Sequence, residues 1–183
     1  MRVAGTVIWA TDLQEQRHHH SGGKGRPSTN TYTYSASFAV ALSARQIGSI
    51  GRIWADGNLL RGAVGDFKTG IGAFRVAPGS EDQGLDPLMG ATLGGGLAPA
   101  HRGVAYAVFE NLDLTDFGNR IPSLTFEVIA DATPLTLGTI ASQLSGGDIS
   151  NVVDGTTPLI NGYAASGSSV GDALSPLVDG LGL

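Results

Sequence analysis

Three histidines, His18, His19 and His20, stand beside Gly22-Gly23-Lys24-Gly25 in "HHHSGGKGRPST". Each half of this stretch imitates a site: imidazoles can ligate zinc, and a glycine-lysine loop can cradle phosphate. Neither spacing closes. His18 and His20 point the same way on an extended chain, but two ligands do not complete a tetrahedral site. The fourth histidine, His101, stands far along the chain beside the Pro99 segment. A phosphate loop needs Gly, four residues, then Gly-Lys-Ser or Gly-Lys-Thr between a strand and a helix. Here Gly23-Lys24 runs into Gly25, the first glycine position is His18, and Pro27 and a strand follow. The stretch is expected to be a loop joining two strands, with no metal and no nucleotide.

Carboxylates are the next chemistry to weigh. Glu81, Asp82 and Asp86 cluster in "GSEDQGLDP". Glycoside hydrolysis needs two carboxyl groups facing one another across a cleft, which acids packed into one short loop seldom achieve. Asp86 is better placed as the N-cap of a helix whose first residue is Pro87. Asp148 and Asp154 in "GGDISNVVDG" lack the EF-hand spacing for calcium. No Gly-x-Ser-x-Gly elbow is present; "GYAASGSSVG" comes nearest, and its serines read as caps. Trp9 and Trp54 sit in strands, where packing is the ordinary use and sugar stacking a minor one. The residues therefore name no catalytic, cofactor-binding or metal site, and no cofactor.

The totals bound the class. The chain has 183 residues, 15% of them charged, with 28 glycines and a net charge of −5. That length can bury roughly two-thirds of the unfolded surface. Charge well below the usual ~25% and glycine at about twice normal usage imply many turns and wide uncharged surfaces, which associate readily. Eleven Lys and Arg, spread along the chain, form no polybasic stripe, so stable nucleic-acid binding is not expected. The absence of cysteine excludes disulfides and thiolate metal sites. No apolar run reaches the ~18 residues of a membrane helix, and the N-terminus lacks a signal-peptide pattern.

The elements that must position these residues are mostly strands. "GTVIWATDLQEQ" reads as a strand leading into an exposed arm. In "NTYTYSASFAVAL", Tyr32, Tyr34, Ala36, Phe38, Val40 and Leu42 alternate with a mostly polar second face, which predicts a long strand. "IGSIGRIWADGNLLRG" reads as a hairpin turning at Asp56-Gly57 or Gly57-Asn58. "AFRVAPG" is a short strand and "DPLMGATLGGG" a short helix ended by glycines. "HRGVAYAVFENLDL" is apolar on both faces, as a central strand is, and Ser123–Ala130 is a last strand after a turn at Gly118-Asn119. Beyond Asp131 the texture changes to a helix with Leu135, Ile140 and Leu144 at helical spacing, a short strand around Leu159–Ala164, and a helix capped by Ser169 with Asp172. Pro176 is expected to kink or stop that helix. The fold class is thus mainly β with short helices, barrel-like over residues 1–132, followed by part of an α+β segment over 133–183. The apolar end at Leu183 reads as a cut within a longer protein.

Three blocks carry a resemblance: "YSASFAVALSARQIGSIGRIWADGNLL", "FRVAPGSEDQGLDPLM" and "APAHRGVAYAVFENLDLTDFGNRIPSLTFEV". In this order, over about Val7 to Val128, they resemble the tail hub proteins of siphophages and gene transfer agents. "LINGYAASGSSVGDALSPLVDGLGL" is similar to the start of the next hub module in those proteins. The resemblance implies a structural part of a baseplate hub: a β-rich domain in a trimeric ring at the tail tip, made in the bacterial cytoplasm. It implies contacts with its own copies, with the tail tube or distal tail protein, and with fibre or spike proteins. It also implies a DNA exit channel, which an acidic wall would suit because it does not hold phosphates. Some full-length relatives carry a glycosidase-like barrel before this region; none of it lies in this sequence. A tail-associated glycan- or peptidoglycan-cleaving domain, using Glu81–Asp86, is the rival reading, and a carbohydrate-binding module using Trp9 and Trp54 a third.

Overall fold

The structure is a computed structural model and describes all residues except 22–27, 95, 132–133, 150–157, 161–162, 164–165 and 183. It divides into two compact units, Met1–Ala130 and Asp131–Leu183. In the first, the chain runs through β1 (Arg2–Ala4), β2 (Thr6–Ala10), β3 (Gln14–His20), β4 (Thr29–Ser43), β5 (Ser49–Ala55), β6 (Asn58–Arg61), β7 (Ala73–Ala77), α1 (Pro87–Leu93), β8 (Ala105–Asp113) and β9 (Leu124–Ile129). The mainly β reading holds.

The barrel-like closure does not. The strands pair into two antiparallel sheets, one in the order β1-β9-β5-β6 and the other in the order β2-β4-β8-β7 with β3 also on β4. The break lies at Gly5, between β1 and β2. There the chain leaves the first sheet for the second. The Gly5 N–H donates to the Leu124 carbonyl at 2.9 Å. A Cβ at this position would sit 2.3 Å from Val40 Cγ1 and 2.7 Å from Phe126 Cε2, so only glycine lets the backbone pass this close. The chain thus crosses over the core edge instead of extending one ladder into a barrel.

The core lies between the sheets. Ala36, Phe38, Val40 and Leu42 of β4 and Ala105, Ala107 and Phe109 of β8 meet Ile53, Ala55, Leu60, Leu124, Phe126 and Val128 of the opposite sheet. The reverse face of β4 and β8 is also covered. Ala39, Tyr106 and Val108 pack there with Met89 of α1 and with Ile8, Trp9, Ala77 and Leu85. This explains why β8 is apolar on both faces: it is the inner strand of a three-layer arrangement of sheet, sheet and short helix.

Local signals place the turns. Asp56 (φ 47°) and Gly57 (φ 85°) both take positive φ between β5 and β6, the requirement of a two-residue hairpin turn. Gly118 (φ 65°) and Asn119 (φ 57°) do the same after a 3-10 turn at Thr115–Phe117. In the second unit, α2 (Leu137–Leu144) is capped by Thr136 and α3 (Val170–Leu181) by Ser169, whose side chain accepts from the Asp172 N–H. Leu135, expected in the first of these helices, precedes it and bridges Ile160; of the strand expected near Leu159–Ala164 the described residues show this bridge, and residues 161–162 and 164–165 lie outside the described residues. Pro176 does not stop α3, which continues to Leu181. Pro176 and Asp172, four residues before it, are both exposed, so water can take the carbonyl that proline leaves without a donor.

Candidate interaction surface

His18, His19 and His20 are not in a loop. They end β3, an arm that pairs with the first half of β4 from Gln14 opposite Ser35 to His20 opposite Thr29. Each imidazole is engaged across the strands. His18 Nε2 lies 2.8 Å from Thr33 Oγ1, His19 Nδ1 2.9 Å from Asn30 Oδ1, and His20 Nε2 2.9 Å from Thr31 Oγ1. Cross-strand hydrogen bonds of this kind register the arm, and sequence spacing alone did not reveal the strand because histidine carries little β signal. The Gly23-Lys24 stretch lies outside the described residues. Among the described residues, no group of three or more His, Asp or Glu is placed to hold a metal. Replacing all three histidines by Ala should leave the melting temperature of the body unchanged within error. Chelator added to the wild type should also have no effect; a fall in melting temperature would reveal a bound metal that stabilises the fold.

The acidic loop is built for structure. The Asp86 carboxylate caps α1 by accepting from the Leu88 and Met89 N–H groups at 3.0 and 3.2 Å. It also receives Arg75 through Nε at 2.8 Å and Nη2 at 3.2 Å. Arg75 reaches on to Glu110 at 2.6 Å. Burial pushes the Asp86 carboxyl up, but Arg75 and the two backbone donors outweigh it and hold the group below its ordinary value. A carboxylate with both oxygens committed in this way is not available as a proton donor or nucleophile. Glu81 is exposed at the loop surface and Asp82 bonds back to Ser80, so the three acids do not face one another across a cleft.

Gln83, which the sequence did not mark, is the hub of this region. Its side-chain amide donates to the carbonyls of Ala100, His101 and Val104, and its Oε1 accepts from the Gly79 N–H at 2.9 Å. One buried side chain thereby ties two irregular loops together, including His101, whose backbone has a left-handed φ of 49°.

The two tryptophans do not share a surface. Trp9 packs under α1. Trp54 lies between the inward Ile53 and Ala55, on the opposite face of its sheet, with the Arg2 guanidinium 4.0 Å from its ring centroid. A cation seated on the ring competes with a stacking sugar. Beside it, Arg52 donates to both Glu127 oxygens at 3.0 and 3.1 Å. This hydrogen-bonded guanidinium draws the Glu127 carboxyl from 4.5 down to about 2. A carboxylate depressed in the folded state contributes stability above its ordinary pKa and loses it as pH falls through the folded value. Acid titration of the wild type should therefore lose stability between about pH 4.5 and 2, and Glu127→Gln should show a shallower loss over that window. Circular dichroism during urea unfolding at each pH reads the difference.

These surfaces are polar and hydrogen-bonded, with apolar residues such as Val7, Leu13, Leu59, Val76 and Ile129 distributed among them. No protein-family model matches the chain, and no curated protein matches it by sequence. A solved structure does. The chain is similar to a protein of the virion of a native gene transfer agent particle. The likeness has a TM-score of 0.65 at 29% identity, and it covers 97% of this chain. This chain spans 46% of the length of that one. The similarity extends over both units and not over the β body alone.

Charge is divided unevenly between the units. All eleven Lys and Arg lie in Met1–Ala130, where eleven Asp and Glu balance them. Residues 131–183 hold Asp131, Asp148, Asp154, Asp172 and Asp179 and no Lys or Arg, so the whole net charge of −5 resides there. Among the described residues, no helix is long and apolar enough to cross a membrane.

Proposed function

We propose that this chain is a structural component of a gene transfer agent or phage particle, and within it part of the tail-tip hub that joins the tail tube to the distal spike or fibres. The observation that carries the reading is the similarity to a gene transfer agent virion protein at 29% identity over 97% of the chain. The β body suits such a part: its core is closed, and Asp86, Glu110 and Glu127 are held in a helix cap and ion pairs. In this reading three copies form a ring, neighbours being its own copies, the tail tube or distal tail protein, and the spike or fibre proteins. Residues 133–183 open a second hub module. Because the acid excess is confined to 131–183, that segment is the one expected to face the DNA channel, where fixed negative charge would leave phosphates unbound.

The rival, a glycan-cleaving tail domain, needs Glu81 or Asp86 as an acid. It is separated by a cell-wall hydrolysis assay on the purified chain with Glu81→Gln and Asp86→Asn controls. The structural reading expects no turnover by any of the three. Turnover by the wild type that either substitution abolishes would replace it with the enzymatic one.

A further inference from the structure

The outer edge of β3 has no strand beside it among the described residues: β3 pairs with β4 and with nothing else. Six of its seven residues are exposed, so the arm has no apolar core of its own. A two-stranded hairpin in water is marginally stable, and an unpaired edge is a template for another strand. The charges on this edge are ordered. Glu15 and Arg17 flank Gln16 on one face of the arm, the face on which their register partners Tyr34 and Tyr32 lie. One Glu15 oxygen accepts the Tyr34 hydroxyl at 2.7 Å, leaving the other open. Arg17 has no ion-pair partner among the described residues. Tyr32 is 47% exposed, and tyrosine with arginine is the composition of protein contacts that contribute most to binding.

We propose that this edge pairs with the same edge of a second copy of the chain, antiparallel about a two-fold axis at Gln16. The pattern of charge selects both partner and register. A shift of one residue turns side chains to the opposite face, so only every second register keeps the faces matched. With Gln16 opposite Gln16, Glu15 of each copy faces Arg17 of the other, twice. Asp12 is then opposite His20. The next face-matched register in one direction sets Glu15 against Glu15, and in the other Arg17 against Arg17. Like charges directly opposite are destabilising, so the neighbouring registers are disfavoured by the residues that favour this one. A parallel arrangement in register also sets like against like. The contact is two-fold, and a three-fold ring contains no two-fold axis. It therefore belongs to chains outside a ring, where it covers the open edge, and it does not rest on the hub reading.

Sedimentation of the full chain over a wide concentration range, in low and high salt, tests this. The wild type is expected to form a dimer that weakens as salt is raised. Glu15→Arg and Arg17→Glu should each weaken it by about tenfold or more, because each sets like charges opposite. The double exchange Glu15→Arg with Arg17→Glu restores opposite pairing and should recover the wild-type constant to within about threefold. Circular dichroism checks that the body stays folded in every variant. A wild type that stays monomeric throughout, an oligomer indifferent to the single reversals, or a double exchange as weak as the singles would each overturn the proposal. None of these outcomes bears on whether the chain is found in particles, which is read separately.

Discussion

Phe109→Ala should cost the β body about 3–5 kcal/mol, a large share of the ~5–15 kcal/mol by which domains of this size are stable. The ring is fully buried and sits where four other phenylalanines converge. Phe38 stacks on it at 4.9 Å between centroids, Phe74 meets it edge-on at 5.0 Å, and Phe126 and Phe67 lie at 6.2 and 6.3 Å. Phe38 and Phe109 come from one sheet and Phe126 from the other, so truncation opens a void at the contact between layers. Close-packed neighbours relax only partly into such a void. Urea unfolding should show a midpoint well below that of the wild type with an unchanged slope. Val64→Ala is the matched control: Val64 is 91% exposed and should move the midpoint hardly at all. Equal midpoints for the two variants would mean that the aromatic cluster does not hold the sheets together.

The second large effect is Gln83→Glu. The shapes are nearly identical, but the amide nitrogen that faces the carbonyls of Ala100, His101 and Val104 becomes a carboxylate oxygen. Acceptors then face acceptors around a buried negative charge, an arrangement that costs about 3–5 kcal/mol when uncompensated. The introduced carboxyl has a folded-state pKa above its unfolded value, so the folded state binds the proton more readily. The sign follows: the variant is least destabilised below the ordinary carboxylate range and loses stability as pH rises toward neutral. The wild type has no such rise in instability over that range. Gln83→Ala, which removes the bonds without adding charge, should cost less at pH 7 and show no such pH dependence. If the two substitutions behaved alike at pH 7 and pH 4, Gln83 would not be the donor that joins the two loops.

The alternation from Tyr32 to Leu42 was legible because period two with one apolar face has few other readings, and those residues do line β4. The caps were legible for the same kind of reason. Asp86 before Pro87, and Ser169 three residues before Asp172, satisfy helix N–H groups by local geometry alone. Gly5 was not legible, because a glycine in a β-branched run looks like a weak strand residue until Val40 and Phe126, far along the chain, are seen to press on it. The histidines misled for a related reason. Their partners Asn30, Thr31 and Thr33 are reached only across the hairpin, and the same polar character that suggests a loop serves equally in an exposed arm. Gln83 carries no signal at all in one dimension, since its partners are defined by two irregular loops meeting in space. Spacing alone made Asp86 a cap candidate, and in the structure it is occupied as a cap and ion-pair partner, while Trp9 and Trp54 lie on different sheets.

The proposed role is that of a packed part of a particle's tail tip. It is tested most directly by placing an affinity tag beside the exposed Val64, purifying intact particles from the producing cells, and locating the tag by gold labelling in electron micrographs. Gold is expected at the free end of the tail, in particles that remain able to deliver DNA. Particles that carry no label, or carry it on the head or along the tube wall, would contradict it.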